Sequence, residues 1–221
     1  MKIVISLGGT LISPAYDKID VDFLKKFTEI LLSYDNDYII ICGGGYTSRL
    51  YTETCKKEKI EKKIIDTIGV NITLMHAMFL SQLFKGMAEY IYGSPVHILS
   101  KFSNKRIIIT GGYLTGTNTD VDSANIASEM NAELLINLTT MHHIHDKNPE
   151  EYSDAVPIQS MTWNQLMEII KKNKNSVNYR PFHLKAVEIC SHKGIKMAYL
   201  RGLENLKKVL EGERFSGTLV F

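Results

Sequence analysis

Apolar residues recur along this chain in two rhythms. Ile3–Leu7, Tyr38–Cys42 and Arg106–Thr110 are short, almost continuously apolar runs. Each stops at glycine, at Gly8-Gly9, Gly43-Gly44-Gly45 and Gly111-Gly112. Runs of this kind predict strands of a parallel sheet covered on both faces. Val96–Leu99, Glu133–Leu138, Ile195–Leu200 and Thr218–Phe221 read as further strands. A period of three to four residues lies between them. Val21–Ser33 places Phe23, Leu24, Phe27, Ile30 and Leu31 on one face after the candidate cap Asp20. Ile64–Tyr92 predicts a long apolar helical stretch of one or two helices, and Asp122–Met130, Trp163–Lys172, Leu184–Lys193 and Leu203–Leu210 complete the set. Strands alternating with helices predict an α/β fold, a three-layer αβα sandwich around a mainly parallel central sheet.

Composition changes that picture little. The chain has 221 residues, a length that fits one large domain, and no Pro/Ser-rich linker or internal repeat divides it. Its formal charge of +2, from 26 basic and 24 acidic residues, excludes a general nucleic-acid binder, so any anion must be held by a local site. No apolar run approaches the roughly 18 residues of a membrane span. The N-terminus passes directly from an apolar run into glycines, which predicts a strand and not a signal peptide. Cys42, Cys55 and Cys190 are odd in number and far apart, which suits core positions or surface thiols in a reducing cytoplasm.

Three glycine clusters on three strand exits are the first chemical signal. Glycine lets backbone N–H groups approach a ligand closely, and a following helix N-terminus adds dipole and unpaired donors. Ligands of open α/β sheets sit beyond the carboxyl ends of the strands, so a polyphosphate site is expected there. Neither GxGxxG nor GxxxxGK[ST] occurs, which excludes the corresponding dinucleotide and P-loop sites. The segment from Gly111 to Asp120 (GGYLTGTNTD) is the most informative, with four hydroxyls and an amide before Asp120 at the start of a helix. Asp120 either caps that helix or orients a Lys or metal.

These motifs, in this order and spacing, resemble the amino acid kinase superfamily. MKIVISLGGTLISP, IICGGGYTSRLY, IDTIGVNITLMHAMFL, IIITGGYLTGTNTD and AELLINLT carry the likeness, and within the superfamily they look most like the archaeal type of uridylate (UMP) kinase. The resemblance implies one domain over residues 1–221, acceptor-binding over about 1–120 and ATP-binding over about 121–221. It implies transfer of phosphate from ATP to UMP with Mg²⁺, in pyrimidine nucleotide synthesis, by a cytoplasmic homohexamer built from dimers. Gly8, Gly9 and Thr10 would pass along the ATP phosphates. Gly44 would touch UMP, with Gly45 and Arg49 on the phosphates nearby, and Asp66 would accept hydrogen bonds from the ribose. Leu114, Thr115, Gly116, Thr117, Asn118 and Thr119 would form the UMP loop, ending on Asp120 as the acid that organises the transferring phosphate and its cation. Thr139, Thr140, His145 and Asn148 would lie on the adenine and ATP-phosphate loop. Asp120 and Arg49 would be the catalytic pair, with no dedicated protein metal site.

The chain departs from the family pattern in its ATP half. Ser6 stands where many UMP kinases carry a Lys, and His142, His143 and His145 stand in the segment that usually reads as an acid, a glycine and an aromatic. His143 and His145 would share a strand face, which admits a metal or oxyanion reading with Asp146 beside a polar loop stacking on a base. His76, His97 and His192 read as structural. Lys101, Lys105 and Arg106 precede the third glycine strand on the side away from its ligand end and suit a solvated turn. Arg180 and Lys185 flank His183 and could supply charge near ATP. The run Lys56–Lys63 mixes signs on a helix and suits a soluble face, and Lys171–Tyr179 suits a mobile loop. Two other functions remain open at this level: a kinase for another small acidic acceptor, and a nucleotide- or oxyanion-binding protein without catalysis. The surplus of apolar surface on Ile64–Tyr92 predicts a dimer interface.

Overall fold

A computed structural model describes residues 1–102, 106–174 and 179–221. Lys105 and residues 175–178 of the polar run expected to be a mobile loop lie outside the described residues. In chain order the elements are β1 (Lys2–Leu7), α1 (Gly9–Ile12), α2 (Val21–Leu32), β2 (Asp37–Cys42), α3 (Gly45–Lys57), α4 (Lys62–Leu83), β3 (Glu89–Tyr90), α5 (Pro95–Ser100) and β4 (Ile107–Thr110). They continue as α6 (Thr119–Met130), β5 (Leu134–Thr139), β6 (Ile144–His145), β7 (Pro157–Ile158), β8 (Ser160–Met161), α7 (Trp163–Lys172), α8 (Leu184–Lys193), β9 (Lys196–Arg201), α9 (Leu203–Leu210) and β10 (Gly217–Val220). Among the described residues eight strands form one sheet in the order β3-β4-β2-β1-β5-β9-β10-β8, and β6 and β7 form a small separate ladder. The pairings from β3 to β9 are parallel, and β10 runs antiparallel to β9.

Alternation along each strand divides the core in two, because successive side chains point to opposite faces. Ile3, Ile5 and Leu7 of β1 join Ile40, Cys42, Ile109 and Leu138 under α2, α4 and α9. Val4 joins Ile39, Ile41, Ile108 and Leu135 against α6, α7 and α8. The result is the expected three-layer sandwich. Cys42, Cys55 and Cys190 are all buried free thiols, and burial pushes Cys190 up to about 12.

Asp20 caps α2 as expected, accepting from Phe23 N–H. Several elements differ from expectation for local reasons. Val96–Leu99 is helical, not a strand: Ser94 accepts from His97 N–H and Pro95 occupies the first turn of α5, where its missing donor is harmless. The stretch Ile64–Tyr92 is one helix that stops at Leu83. Lys85 and Gly86 then take left-handed φ values of 51° and 85° and turn the chain into β3. The mixed-charge run Lys56–Lys63 is broken between α3 and α4 at Lys59, φ 55°. Helix α3 buries only Cys55 and so carries almost no apolar signature, while β3, β6, β7 and β8 are two residues each, too short to show a period. Arg106 itself pairs with Asp35 and Asp37, away from the ligand end of β4.

Helix α4 comes closer to a membrane span than the interrupted apolar runs of its sequence suggest. It is 22 residues long and holds an 18-residue stretch of mean hydropathy 1.4, enough by length and composition to cross a membrane. Here it lies along the sheet with Ile72, Ala77 and Leu80 buried. Its polar Thr73 and His76 bond to the turns after β4 and β2. The opposite face exposes Ile64, Met75, Met78 and Phe79.

Candidate active site

The carboxyl ends of β4, β2, β1 and β5 lie side by side, so the three glycine turns meet at one edge of the sheet. The glycines of the first two turns are needed for contact with one another, and those of the third for contact with α4, as well as for any ligand. A Cβ on Gly9 would lie 2.1 Å from Gly45 N and 2.6 Å from Gly43 C, and one on Gly8 would lie 2.9 Å from Leu138 O. A Cβ on Gly111 would fall 2.5 Å from Thr73 Oγ1. Gly45 also has φ +57°, which L side chains rarely adopt. His76 completes the packing: its Nδ1 lies 2.9 Å from Gly43 O, and only a protonated Nδ1 satisfies a carbonyl. Burial lowers the His76 pKa, which keeps the ring neutral.

Three adjoining recesses open along this edge. The first is bordered by Gly44, Gly45, Ser48, Arg49 and Thr52, with the Arg49 guanidinium 4.6 Å over the Tyr46 ring. The second, about 290 Å³, shares Ser48 and Thr52 with the first. Asp66, Gly69, Val70 and Thr73 of α4 form one wall, and Leu114, Thr117, Asn118 and Thr119 form the other with Asp122. Lys62, one helical turn before Asp66, holds that carboxylate at 2.5 Å. The third shares Asn118 with the second and is lined by Asp120, Tyr179, Arg180, Phe182 and His183.

Two acids of the α6 first turn dominate the electrostatics. Asp120 accepts from His183 N–H at 3.1 Å and from Asn118 Nδ2 at 3.4 Å. Both donors are neutral, and desolvation pushes the carboxyl up to about 7. Asp122 is buried, accepts from Tyr113 N–H and Thr117 Oγ1, and is pushed up to about 6 by burial. The helix cap is Asn118, which accepts from Val121 N–H, so Asp120 is not the cap.

The expected site residues divide. Asp66, Leu114, Thr117, Asn118 and Thr119 converge on the second recess, Gly44, Gly45 and Arg49 on the first, and Asp120 on the third. Thr115 and Gly116 form an exposed loop tip, and the Tyr113 hydroxyl bonds the Asn125 side chain, so the four hydroxyls of this loop do not all face one ligand. Gly8, Gly9, Thr10, Thr139, Thr140, His145 and Asn148 border none of the three recesses. Gly8 N–H bonds Leu138 O at 2.8 Å, and the Thr139 side chain shares a hydrogen bond with Tyr199. The His145 Nδ1 lies 3.1 Å from His143 O, and Asn148 is buried in its own turn, where it accepts from Glu150 N–H and donates to Glu151. Burial and the neighbouring His145 and His142 lower the His143 pKa. Among the described residues no group of three His, Cys, Asp or Glu could hold a metal ion by itself.

The profile of the amino acid kinase family matches residues 1–198. The chain belongs to the amino acid kinase family. A uridylate kinase of Thermoplasma volcanium is 32% identical over 217 residues, covering 96% of this chain and 94% of that protein. That of Thermoplasma acidophilum is 28% identical over 222 residues, covering 99% and 96%. The crystal structure of uridylate kinase from Archaeoglobus fulgidus superposes with a TM-score of 0.86 at 26% identity over the whole of both chains. The UMP kinase of Bacillus anthracis, at 15% identity, shares the fold with a TM-score of 0.82, covering 99% of this chain and 95% of that one.

Within this amino acid kinase, Ser6 is buried in β1 and lies on the same face of the sheet as Val4, the side covered by α6. The residues that sequence reasoning missed are Ser48, Thr73 and Asp122. Thr73 carries no signal, since its neighbours form an ordinary apolar helix face. Asp122 stands two residues beyond Asp120 and reads as one more helix-start acid until its burial is known.

Proposed function

We propose that this chain is an ATP-dependent nucleoside monophosphate kinase that converts UMP and ATP to UDP and ADP. The observation that carries this reading is the continuous edge on which an acceptor-sized recess with Asp66 adjoins, through Asn118, a recess holding Asp120. Names borne by the Thermoplasma relatives support the choice of acceptor. A phosphate oxygen of UMP attacks the γ-phosphorus of ATP and ADP leaves, so positioning and charge neutralisation supply most of the catalysis and no strong general base is required. Asp66 would accept from the ribose hydroxyls, exchanging part of its contact with Lys62. Gly44, Gly45 and Arg49 would receive phosphate oxygens at the α3 N-terminus. Leu114, Thr117, Asn118 and Thr119 would enclose the nucleoside. We assign acceptor binding to about residues 1–120 and ATP binding to the remainder, with Gly8, Gly9, Thr10 and the segment 139–148 nearest the donor.

Mg²⁺ fits this donor set. Asp120 is a desolvated carboxylate with only neutral hydrogen-bond partners, and a lone carboxylate binds Mg²⁺ together with substrate phosphates in preference to a protein cage. The ion would offset the negative charge gathered between donor and acceptor. The outer face of α4, with Met75, Met78 and Phe79, would form a dimer contact, and a hexamer of such dimers is the assembly we propose.

The test is UDP formation with UMP, CMP, dUMP, GMP and AMP as acceptors, beside Asp120→Asn. UMP should be preferred, and the variant should lose at least about 100-fold in kcat. No turnover of any acceptor by folded protein that binds UMP would overturn the kinase reading.

A further inference from the structure

We propose that Asp122 is a positioning residue for the acceptor, the carboxylate that holds the segment 113–117 in place over the nucleoside recess. The inference rests on the UMP reading above, but the geometry behind it stands on Asp122 alone. This side chain is only 1% exposed, and each of its oxygens has a loop partner. Oδ2 accepts from Tyr113 N–H at 3.3 Å and Oδ1 from Thr117 Oγ1 at 3.2 Å. The two partners bracket the exposed tip Leu114-Thr115-Gly116, and Leu114 and Thr117 line the recess. The approach is close: a Cβ on Gly112 would stand 3.0 Å from Oδ2. Gly112 N–H instead donates to Thr73 Oγ1 at 2.8 Å, which ties the base of the loop to α4.

The choice of an acid here is costly for folding. Burying a carboxylate without a cation is unfavourable, and no ion pair involving Asp122 occurs among the described residues. The α6 N-terminus returns part of that cost. Two ionised oxygens accept from two separated donors at once, whereas an amide in the same place accepts at one oxygen only. Thr117 Oγ1 also lies 2.9 Å from Leu114 O and has one hydrogen to give, so the loop retains some order without Asp122. A loop ordered beforehand spares the acceptor the entropy of ordering it. The effect therefore belongs in acceptor affinity and not in the transfer step.

The experiment compares wild type with the near-isosteric Asp122→Asn and with Thr117→Val, which leaves the carboxylate in place and covers the case in which the first variant fails to fold. The KM for UMP should rise about tenfold in Asp122→Asn, with kcat at saturating UMP within about threefold and the KM for ATP unchanged. The double variant should be less than additive. An unchanged KM for UMP, or an equal rise in both KM values with a fall in kcat, would overturn the proposal. Hydrogen exchange of the Tyr113 amide and calorimetric UMP binding are measured on the same proteins. If wild type makes no UDP, the kinase reading fails alone. Faster exchange at Tyr113 with weaker UMP binding in the variants then still supports the clamp, and unchanged exchange sinks it.

Discussion

His76 is buried on α4 and gives its one ring proton to Gly43 O, leaving Nε2 without a hydrogen-bond partner among the described residues. Protonation would place a charge on that orphaned nitrogen in an apolar layer. The folded pKa accordingly lies below the ordinary 6.5. The sign follows from linkage: the unfolded chain binds this proton first, so the contribution of neutral His76 is complete above about pH 6.5 and is lost as pH falls through the lower folded pKa. In urea unfolding at fixed protein concentration, wild type should exceed His76→Gln in stability by about 1–2 kcal/mol near pH 8. That difference should shrink toward pH 5, and a constant difference across the range would show that His76 does not carry the titration. His76 and Asp122 were visible in the sequence only as residue types. Their roles come from burial, and burial of a polar helix position has no local signature.

The decisive contact between elements is the meeting of the β1 and β2 exits. Gly9 leans on the backbone of Gly43 and Gly45, so α1 and α3 begin side by side. An added methyl group would meet backbone at 2.1 Å, and backbone has no rotamer into which it can withdraw. Gly9→Ala should cost about 3 kcal/mol or more by chemical denaturation, or fail to give folded protein. Gly212→Ala is the control: at φ +71° with nothing within 4 Å, it meets strain alone and should cost about 1–2 kcal/mol. Comparable losses at the two sites would remove the packing argument. The glycine clusters were conspicuous in the sequence, and the phosphate reading they suggest is compatible with this packing. That the first two clusters serve each other became evident only when two distant turns came together.

At the scale of the whole molecule, α4 is covered on one side only. Met75, Met78 and Phe79 form an apolar stripe at helical spacing on the other, and each is at least 39% exposed. If this stripe is the dimer contact proposed above, Met78→Glu should yield smaller species in light scattering at micromolar concentration, with an unchanged far-UV spectrum. An unchanged mass for the variant, or a monomeric wild type, would place the interface elsewhere or nowhere.

Much of this architecture is determined locally. Helices α7, α8 and α9 have the bounds their periodicity predicts, because one face of each alternates cleanly between core and solvent. Strands β1, β2, β4 and β5 were legible for the opposite reason, since burial on both faces leaves a nearly continuous apolar run. Ser94-Pro95 also held the information that makes Val96–Leu99 helical, through capping chemistry that an apolar run conceals. Strand order, the division of the ligand edge into adjoining recesses, the desolvation of Asp120 and the burial of Asp122 were decided by tertiary structure. Each depends on residues far apart in sequence approaching within a few ångströms, and desolvation exists only once they have met.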